Sequence, residues 1–302
     1  MGQLLDLQLK LFIFMLIGAL LKRLGIITEQ GRDSLTDLVI YAILPCNIIV
    51  SFLQVFSRDK LFLLVSILFV SVGLQAVCGF IGKRMYKQQN KGRRTILYYG
   101  TICSNAGFLG NVIAEELYSG FGLALASVYL IPQRVIMWSV GVGLFSNCRD
   151  KRKLLLKVSA HPCVISVFIG LFLMVTQLRL PEIILDPLRD ISACNTAISM
   201  IVVGTILGDI KMKHFVDKTI LTFSVIRLFA IPLCVYVTGR LLHLDGTVAG
   251  VATILAAMPV PVTTAILAQK YNGDSAFATR CIVVTTAFSI VTIPLWSILL
   301  IM

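Results

Sequence analysis

Apolar residues run in long stretches along the chain, and polar residues gather in short segments between them. Most stretches are about twenty residues long, which is the length of an α-helix that crosses a lipid bilayer. The pattern predicts ten spans, with bounds near 5–22, 35–54, 61–82, 95–117, 121–145, 154–177, 188–208, 216–240, 248–270 and 276–301. With 57% hydrophobic and 14% charged residues, the expected fold class is an all-α polytopic membrane protein.

The positively charged residues fall mainly in alternate connections between the predicted spans. Eighteen of the 27 lysines and arginines lie in the odd-numbered connections or at the span ends that border them, and six lie in the even-numbered connections, at the span ends that border them or near the termini. The remaining three, Arg134, Arg227 and Arg280, are assigned to the spans. Short cytoplasmic loops of membrane proteins are enriched in lysine and arginine. We therefore expect the odd-numbered connections in the cytoplasm and both termini outside the cell membrane. The net charge of +12 then indicates topology and not nucleic-acid binding.

The cysteine and histidine positions match no pattern that is typical of an enzyme or a metal site. The eight cysteines are scattered without a CxxC pair, and the three histidines lie far apart. We expect reduced cysteines that pack between helices, with no metal, no cofactor and no catalytic residues. The first apolar stretch lacks the basic start and the cleavage site of a signal peptide, so we expect it to be retained.

The fourth predicted span is interrupted at residues 103–111 by amino acids that weaken a helix. Asn105, Gly107, Gly110 and Asn111 fall within seven positions. Each glycine costs about 1 kcal/mol relative to alanine in a helix, and asparagine offers the backbone other hydrogen-bond partners. Non-helical backbone at membrane depth persists only where protein or water surrounds it. This interruption is therefore a candidate binding site.

The ninth predicted span carries a second interruption, Met258-Pro259-Val260-Pro261, where two prolines remove backbone donors. A shift of 153 residues places Asn105 on Met258, so the two interruptions occupy equivalent positions. The same shift aligns a Tyr-x-Gly triplet in each half, at residues 118–120 and 271–273. Because five spans per half is an odd number, the second half is expected to be inverted in the membrane. The predicted repeats are residues 1–150 and 151–302.

A broken helix exposes amide donors on one stub and carbonyls on the other. Two breaks that meet within the membrane would form an anion site suited to a carboxylate. Asn105 and Asn111 would add amide donors, and Gly107 and Gly110 would let the substrate approach the backbone. The second break would contribute Pro259, Val260, Pro261 and Thr263. The alternative interpretation is that the small residues only pack and the prolines only kink their helix.

Other polar residues within the spans are candidates for the same site. Arg134 lies near mid-depth and would either contact the anion or hold backbone carbonyls. Asn47 would face the cavity or bond to a neighbouring helix. For Glu115 and Glu116 a coupling role and simple solvation are both open, and Arg227 has no second feature that assigns it a role.

The segments Asn105-Ala-Gly-Phe-Leu-Gly110, Trp138-x-x-Gly141 and Ala257-Met-Pro259 resemble the auxin efflux carrier family, which includes plant PIN carriers and bacterial malate or malonate permeases. The resemblance covers nearly the whole chain. It implies ten helices in two inverted five-helix repeats, with a scaffold domain of helices 1, 2, 6 and 7. It further implies a transport domain of helices 3–5 and 8–10, in which the broken helices four and nine cross.

The resemblance implies secondary transport of small organic acid anions, such as auxin-like or dicarboxylate substrates, by an elevator-type alternating-access mechanism. The expected partners are the lipid bilayer, a small carboxylate and a second copy of the chain bound through the scaffold helices. Uniport, proton coupling and sodium coupling are open alternatives. A sodium-coupled symporter of the bile-acid type would use Gln75 with Glu115 or Glu116, and a membrane sensor would bind the ligand without moving it.

Overall fold

The computed structural model describes residues 2–53, 58–107, 109–145, 162–208, 217–261 and 263–301. The regular elements in these ranges are all helical. Numbered along the chain, the helices are α1 Gly2–Arg23, α2 Glu29–Phe52, α3 Arg58–Met85, α4 Lys91–Ile102, α5 Leu109–Ile136, α6 Pro162–Thr176, α7 Glu182–Ala193, α8 Asn195–Gly208, α9 Lys218–Leu241, α10 Gly246–Ala256, α11 Thr263–Lys270 and α12 Ser275–Ile301. After α5 the chain continues as a π-helical turn, Met137–Gly141, and a short helix, Val142–Phe145. The all-α prediction is confirmed for the described residues.

Five of the described helices, α2, α3, α5, α9 and α12, are long and apolar enough to cross a membrane. The helices α6 and α10 are shorter but also apolar. Many large apolar side chains on the long helices point outward, such as Phe62 and Phe69 on α3. An outer surface of this kind is stable in lipid and unstable in water. The chain is therefore a multi-pass membrane protein.

Polar residues at the starts of several helices fix where these helices begin. Asn90 Oδ1 accepts a hydrogen bond from the backbone N–H of Arg93 at 2.9 Å, which caps α4. Asp217 Oδ1 accepts from the backbone N–H of Ile220 at 2.8 Å and caps α9 in the same way. Side-chain caps satisfy amide groups that have no partner within the first turn of a helix. The helices thus begin at the polar connections that the sequence pattern placed between spans.

The chain leaves the helical path at both predicted interruptions. Between α4 and α5 it forms a short 3₁₀ turn, Asn105–Gly107, and between α10 and α11 the described residues 257–261 are non-helical. The predicted seventh span also differs from a single helix, because it begins earlier, at Glu182, and a turn at Cys194 divides it into α7 and α8. Pro187 lies within α7, where it removes a backbone donor.

Left-handed backbone conformations occur at matching distances in the two halves. Ser119, which divides α5 into two parts, has φ 59°, and Asn272, which follows α11, has φ 53°. Gly25 after α1 has φ 74°, and Gln177 after α6 has φ 53°. Few residues other than glycine adopt positive φ values. Two pairs of positive-φ residues are thus separated by 153 and 152 residues, about half the chain, while His243, with φ 49°, has no such counterpart among the described residues.

The helices near the N-terminus pack closely against those of the central region. A Cβ atom added to Gly18 of α1 would overlap the carbonyl oxygen of Ile201, and one added to Gly204 of α8 would overlap that of Met15. Gly204 and Gly208 form a G-x-x-x-G pattern that brings the two backbones together. Elsewhere α2 packs on α6 and α7, α3 packs on α5, and α10 packs on α5 and α9.

Candidate functional site

The two interruptions are in direct contact through their backbones. The N–H of Asn105 donates a hydrogen bond to the carbonyl of Pro259 at 2.8 Å. Gly110 lies against the end of α10, because a Cβ atom added there would be 3.1 Å from Cγ of the buried Met258. The small side chains of the first break therefore let it approach the second closely.

The prolines of the second break leave backbone carbonyls without the donors that a regular helix would supply. In a regular helix the N–H of residue 259 would donate to the carbonyl of Leu255, but proline has no N–H. The hydroxyl of Ser104, in the first break, lies 3.3 Å from that carbonyl and 3.2 Å from Oε1 of Gln133, and its single proton is shared between these two acceptors. The carbonyl of Pro259 in turn accepts the N–H of Asn105 instead of a donor from its own helix. Each break thus supplies partners that the other has lost.

Gln133 of α5 supports the first break. Its Nε2 donates to the carbonyl of Ser104 at 2.7 Å, and its Oε1 lies 3.2 Å from the Ser104 hydroxyl. On the second break, the N–H of Val260 donates to Oγ1 of Thr285 at 3.2 Å. The non-helical backbone of both breaks is therefore held by buried side chains, as a protein in lipid requires.

In the first break, the Asn105 side chain lacks a described hydrogen-bond partner and Gly107 lacks a described close neighbour. The side chain of Asn105 is 4% exposed, and its carboxamide makes no hydrogen bond to a described residue. No described atom lies within 4 Å of the position that a Cβ atom on Gly107 would take. An unpaired carboxamide beside an open glycine offers a small polar ligand both a hydrogen-bonding group and space.

Asn111 and Thr264 are fully buried polar residues just beyond the breaks, in the first turns of α5 and α11. Both polar atoms of the Asn111 carboxamide and the hydroxyl of Thr264 have no hydrogen-bond partner among the described residues. Their positions differ by the same 153 residues that relate the interruptions. Leaving a buried polar group unsatisfied costs about 1–3 kcal/mol, so such groups usually have a water, ion or ligand as partner.

Arg134 lies in the second part of α5, one residue after Gln133, and is 7% exposed. Its Nη1 is buried without a hydrogen-bond partner, and no described carboxylate pairs with it. An unpaired guanidinium in a membrane span is unfavourable unless an anion, water or backbone carbonyls surround it. Arg134 is therefore a positive group with unused donor capacity.

The remaining predicted residues of the second break are held within the protein. Pro259, Val260 and Pro261 are buried, and Thr263 is half-buried. The hydroxyl of Thr263 lies 3.0 Å from the phenolic oxygen of Tyr99 on α4, so this side chain already has a partner. The residues of the second break therefore shape the point where the two breaks meet, which we call the crossing. Asn105 and Asn111 of the first break carry carboxamides without described hydrogen-bond partners.

Asn47 lies away from the contact between the breaks, in a polar cluster where α2, α5, α7 and α8 meet. Its Nδ2 donates to Ser192 Oγ at 2.8 Å and to Glu115 Oε1 at 3.2 Å, and its Oδ1 accepts from Asn195 Nδ2 at 3.3 Å. Asn47 therefore bonds to neighbouring helices, which is one of the two alternatives that the sequence leaves open for it. Glu115 is half-buried within this cluster rather than simply solvated, and the neighbouring Glu116 forms a 2.9 Å ion pair with Lys10 of α1.

A cavity of about 520 Å³ opens beside this polar cluster. It is lined by Val50, Glu115, Glu116, Ser119, Arg189, Ser192, Ala193 and Thr196. The cavity contains charges of both signs, and the kink residue of α5 lies at its edge. None of these lining residues belongs to either break, so the cavity is separate from the contact between the breaks.

Sequence reasoning missed Ser104, Gln133 and Thr285 as supports of the breaks, and it assigned no role to Arg227. Arg227 Nε donates to the carbonyl of Met258 at 3.0 Å, and its Nη1 donates to the carbonyl of Thr101 at 3.4 Å. A buried polar residue in an apolar span is the signal that marks such positions. Their partners are backbone carbonyls, which a sequence does not distinguish from one another.

Comparison with known proteins places this fold in a family. The family profile described as membrane transport protein matches residues 5–297. An uncharacterized transporter of Methanocaldococcus jannaschii is 26% identical over 303 aligned positions, which cover 96% of this chain and 97% of the relative. An uncharacterized transporter of Methanothermobacter thermautotrophicus is 24% identical, with 97% of both chains covered. The uncharacterized transporter YfdV of Escherichia coli is 21% identical, with 95% of both chains covered.

These matches extend over nearly the entire chain and include both interruptions and all the helices that surround them. The relatives are transporters by name, in agreement with a multi-pass membrane protein whose described helices are broken at two contacting points. The resemblance read from the motifs is confirmed, and the protein belongs to the membrane transport protein family, which is the auxin efflux carrier family.

Proposed function

We propose that the protein is a secondary carrier of small organic acid anions and that the substrate carboxylate binds beside the contact between the two breaks. The observation that carries this proposal is the set of unpaired donors around the breaks. Both polar atoms of the Asn111 carboxamide and Nη1 of Arg134 are buried without partners among the described residues, and no described hydrogen bond involves the Asn105 carboxamide. Such donors bind a carboxylate more strongly than a neutral ligand, because hydrogen bonds to charged groups are the stronger kind.

The charges near the breaks also favour an anion. Residues 99–111 and 256–268 contain no aspartate or glutamate, while Arg134 and Arg227 are buried nearby in α5 and α9. The second stubs of the broken helices, α5 and α11, begin at the breaks and direct their free N–H groups towards them. Helix N-termini carry a partial positive charge and attract anions. A dicarboxylate or an aromatic carboxylic acid fits this environment better than a cation.

The finer architecture belongs to the same proposal: ten spans, with residues 1–150 and 151–302 as two inverted repeats. The matching interruptions, the left-handed residues and the unpaired Asn111 and Thr264 all support a repeat with an offset of 153 residues. The scaffold would comprise α1, α2, α6, α7 and α8, and the transport domain α3–α5 and α9–α12. Both termini would lie outside the cell membrane, as the charge distribution predicts.

An elevator-type motion would slide the transport domain along the scaffold and carry the breaks across the membrane. The cluster around Asn47 and Glu115 lies at the boundary between these two groups of helices. Hydrogen bonds between side chains can be exchanged for others as one surface slides, whereas interlocked apolar side chains resist such a shift. The polar boundary supports this motion, and a second copy of the chain would bind through the scaffold.

Uptake of radiolabelled mono- and dicarboxylates into proteoliposomes tests the proposal. We expect saturable uptake by the wild type, and a fall of roughly tenfold or more in uptake by Asn105→Ala, since a hydrogen bond to a charged group contributes about 1.5–3 kcal/mol. Pro259→Ala should also reduce uptake, because a restored N–H at residue 259 would compete with Ser104 for the Leu255 carbonyl. Unchanged uptake in both variants refutes the proposal.

Two control variants separate these effects from general damage. Ser66→Ala removes an exposed hydroxyl that bonds only to its own helix, and Pro294→Ala removes a proline from the interior of α12. Both should transport at near the wild-type rate. Saturable binding without flux under any gradient would instead favour a membrane sensor.

A further inference from the structure

Arg227 joins the two breaks from a third helix. It lies in a π-helical turn of α9, Ile226–Ala230, and is 3% exposed. Its guanidinium donates to the carbonyl of Thr101 at the end of α4 and to the carbonyl of Met258 just after α10. One side chain therefore contacts the carbonyl end of each broken helix, although the two carbonyls are 157 residues apart in the sequence.

These two carbonyls need a partner because the crossing removes their own. In a regular helix the carbonyl of Thr101 would accept the N–H of Asn105, but that N–H is bonded to Pro259. Met258 lies after the last residue of α10, where carbonyls have no donor in the helix. Such carbonyls also carry the partial negative charge of a helix C-terminus, and two of them converge here.

Among the described contacts of these two carbonyls, the guanidinium of Arg227 is the only charged partner. No described carboxylate pairs with Arg227, and the hydrogen bonds that its guanidinium donates to described residues go to backbone oxygens. The π-helical turn that presents Arg227 is itself supported, since Trp296 Nε1 donates to the carbonyl of Leu228 at 2.9 Å. A turn of this kind leaves a carbonyl without its usual donor, and an indole N–H held against it stabilises the wider geometry.

Converging carbonyls at broken helices are also the groups that coordinate alkali cations in ion-coupled carriers. We propose that Arg227 is a positioning residue that serves as a built-in cation, so that the crossing is assembled without a bound alkali cation and transport does not depend on sodium. The guanidinium occupies the hydrogen-bonding positions of both carbonyls, and its positive charge would repel a second cation from them. This inference rests on the proposed carrier function.

The first test compares anion uptake by the wild type in sodium and in choline buffers of equal ionic strength. Equal uptake is expected, and a requirement for sodium overturns the inference while leaving the carrier function intact. Arg227→Met should lose most uptake in both buffers. Arg227→Lys, which keeps the charge but not the forked geometry, should recover part of it. Loss of uptake in Arg227→Met without any recovery in Arg227→Lys counts against a role for the charge.

The second test measures hydrogen–deuterium exchange and needs no transported substrate. In Arg227→Met the amides of both residues 101–107 and residues 256–261 should exchange about tenfold faster or more, because both carbonyl ends lose a charged partner. The matched control is Arg240→Met on the same helix, whose exposed guanidinium lies 3.3 Å from the Tyr236 hydroxyl one turn away. Faster exchange confined to α9 overturns the inference. This test gives its answer even if the wild type shows no flux and the carrier proposal fails.

Discussion

The contact between α1 and α8 permits a prediction whose magnitude follows from a distance. In Gly204→Ala the added methyl carbon would overlap the carbonyl oxygen of Met15 and lie 2.8 Å from its carbonyl carbon. Carbon atoms in contact are normally about 3.5–4.0 Å apart, so the two helices must separate by roughly 1 Å. Both groups involved are backbone, and no rotamer change can relieve the overlap.

The expected loss of stability combines two opposing effects. Overpacking of a tight contact costs about 1–3 kcal/mol, and alanine favours a helix over glycine by about 1 kcal/mol. Because the overlap is with backbone, the cost lies at the upper end, and the net loss is about 2 kcal/mol. For a domain of this size the melting temperature should fall by roughly 4–8 °C.

Thermal unfolding of purified protein in detergent measures this shift by fluorescence or circular dichroism. Gly73→Ala is the matched control, because Gly73 lies in the middle of α3 with no described atom within 4 Å of its Cβ position. There only the helix preference acts, and the melting temperature should rise by roughly 2–4 °C. A Gly204→Ala variant that melts at or above the wild-type temperature would refute the backbone contact.

Two further predictions concern hydrogen bonds of buried or half-buried side chains. Ser104→Ala leaves the carbonyl of Leu255 without its donor and should lower the free energy of unfolding by about 1–3 kcal/mol, measured in the same melts; an unchanged melting temperature contradicts it. At the polar cluster, Glu115→Gln keeps an acceptor for Asn47, whereas Glu115→Leu does not. The leucine variant should therefore melt lower than the glutamine variant, and the reverse order would show that the hydrogen bond to Asn47 is unimportant.

The sequence was sufficient for features that depend on local composition. The long apolar stretches predicted the helices, and the glycines, asparagines and prolines predicted where the described helices break. Asn105 is a candidate site residue from the sequence alone, and in the structure no described hydrogen bond involves its carboxamide. Local rules work here because lipid leaves a chain few alternatives to a helix.

Features that depend on distant contacts could not be predicted. The sequence assigns no role to Arg227, because its partners are two carbonyls and every residue in a span carries a carbonyl. The division of the seventh span at Cys194 was also missed, since no glycine lies there and Pro187 is seven residues earlier. The partners of Arg227 lie on helices far away in the sequence, so no local pattern encodes its role, and nothing in the structure explains the turn at Cys194.

The exchange of hydrogen bonds between the breaks also has a consequence for the synthesis of the chain. When the first half has emerged from the ribosome, Pro259, whose carbonyl accepts the N–H of Asn105 in the folded protein, lies 154 residues further along the chain. Arg227, which donates to the carbonyl of Thr101, has not been made either. The N–H of Asn105 and the carbonyl of Thr101 are the pair that a regular helix joins, so before the second half arrives the first break can close into an ordinary helical turn that hydrocarbon tolerates. We therefore expect the first break to open only when the two halves meet.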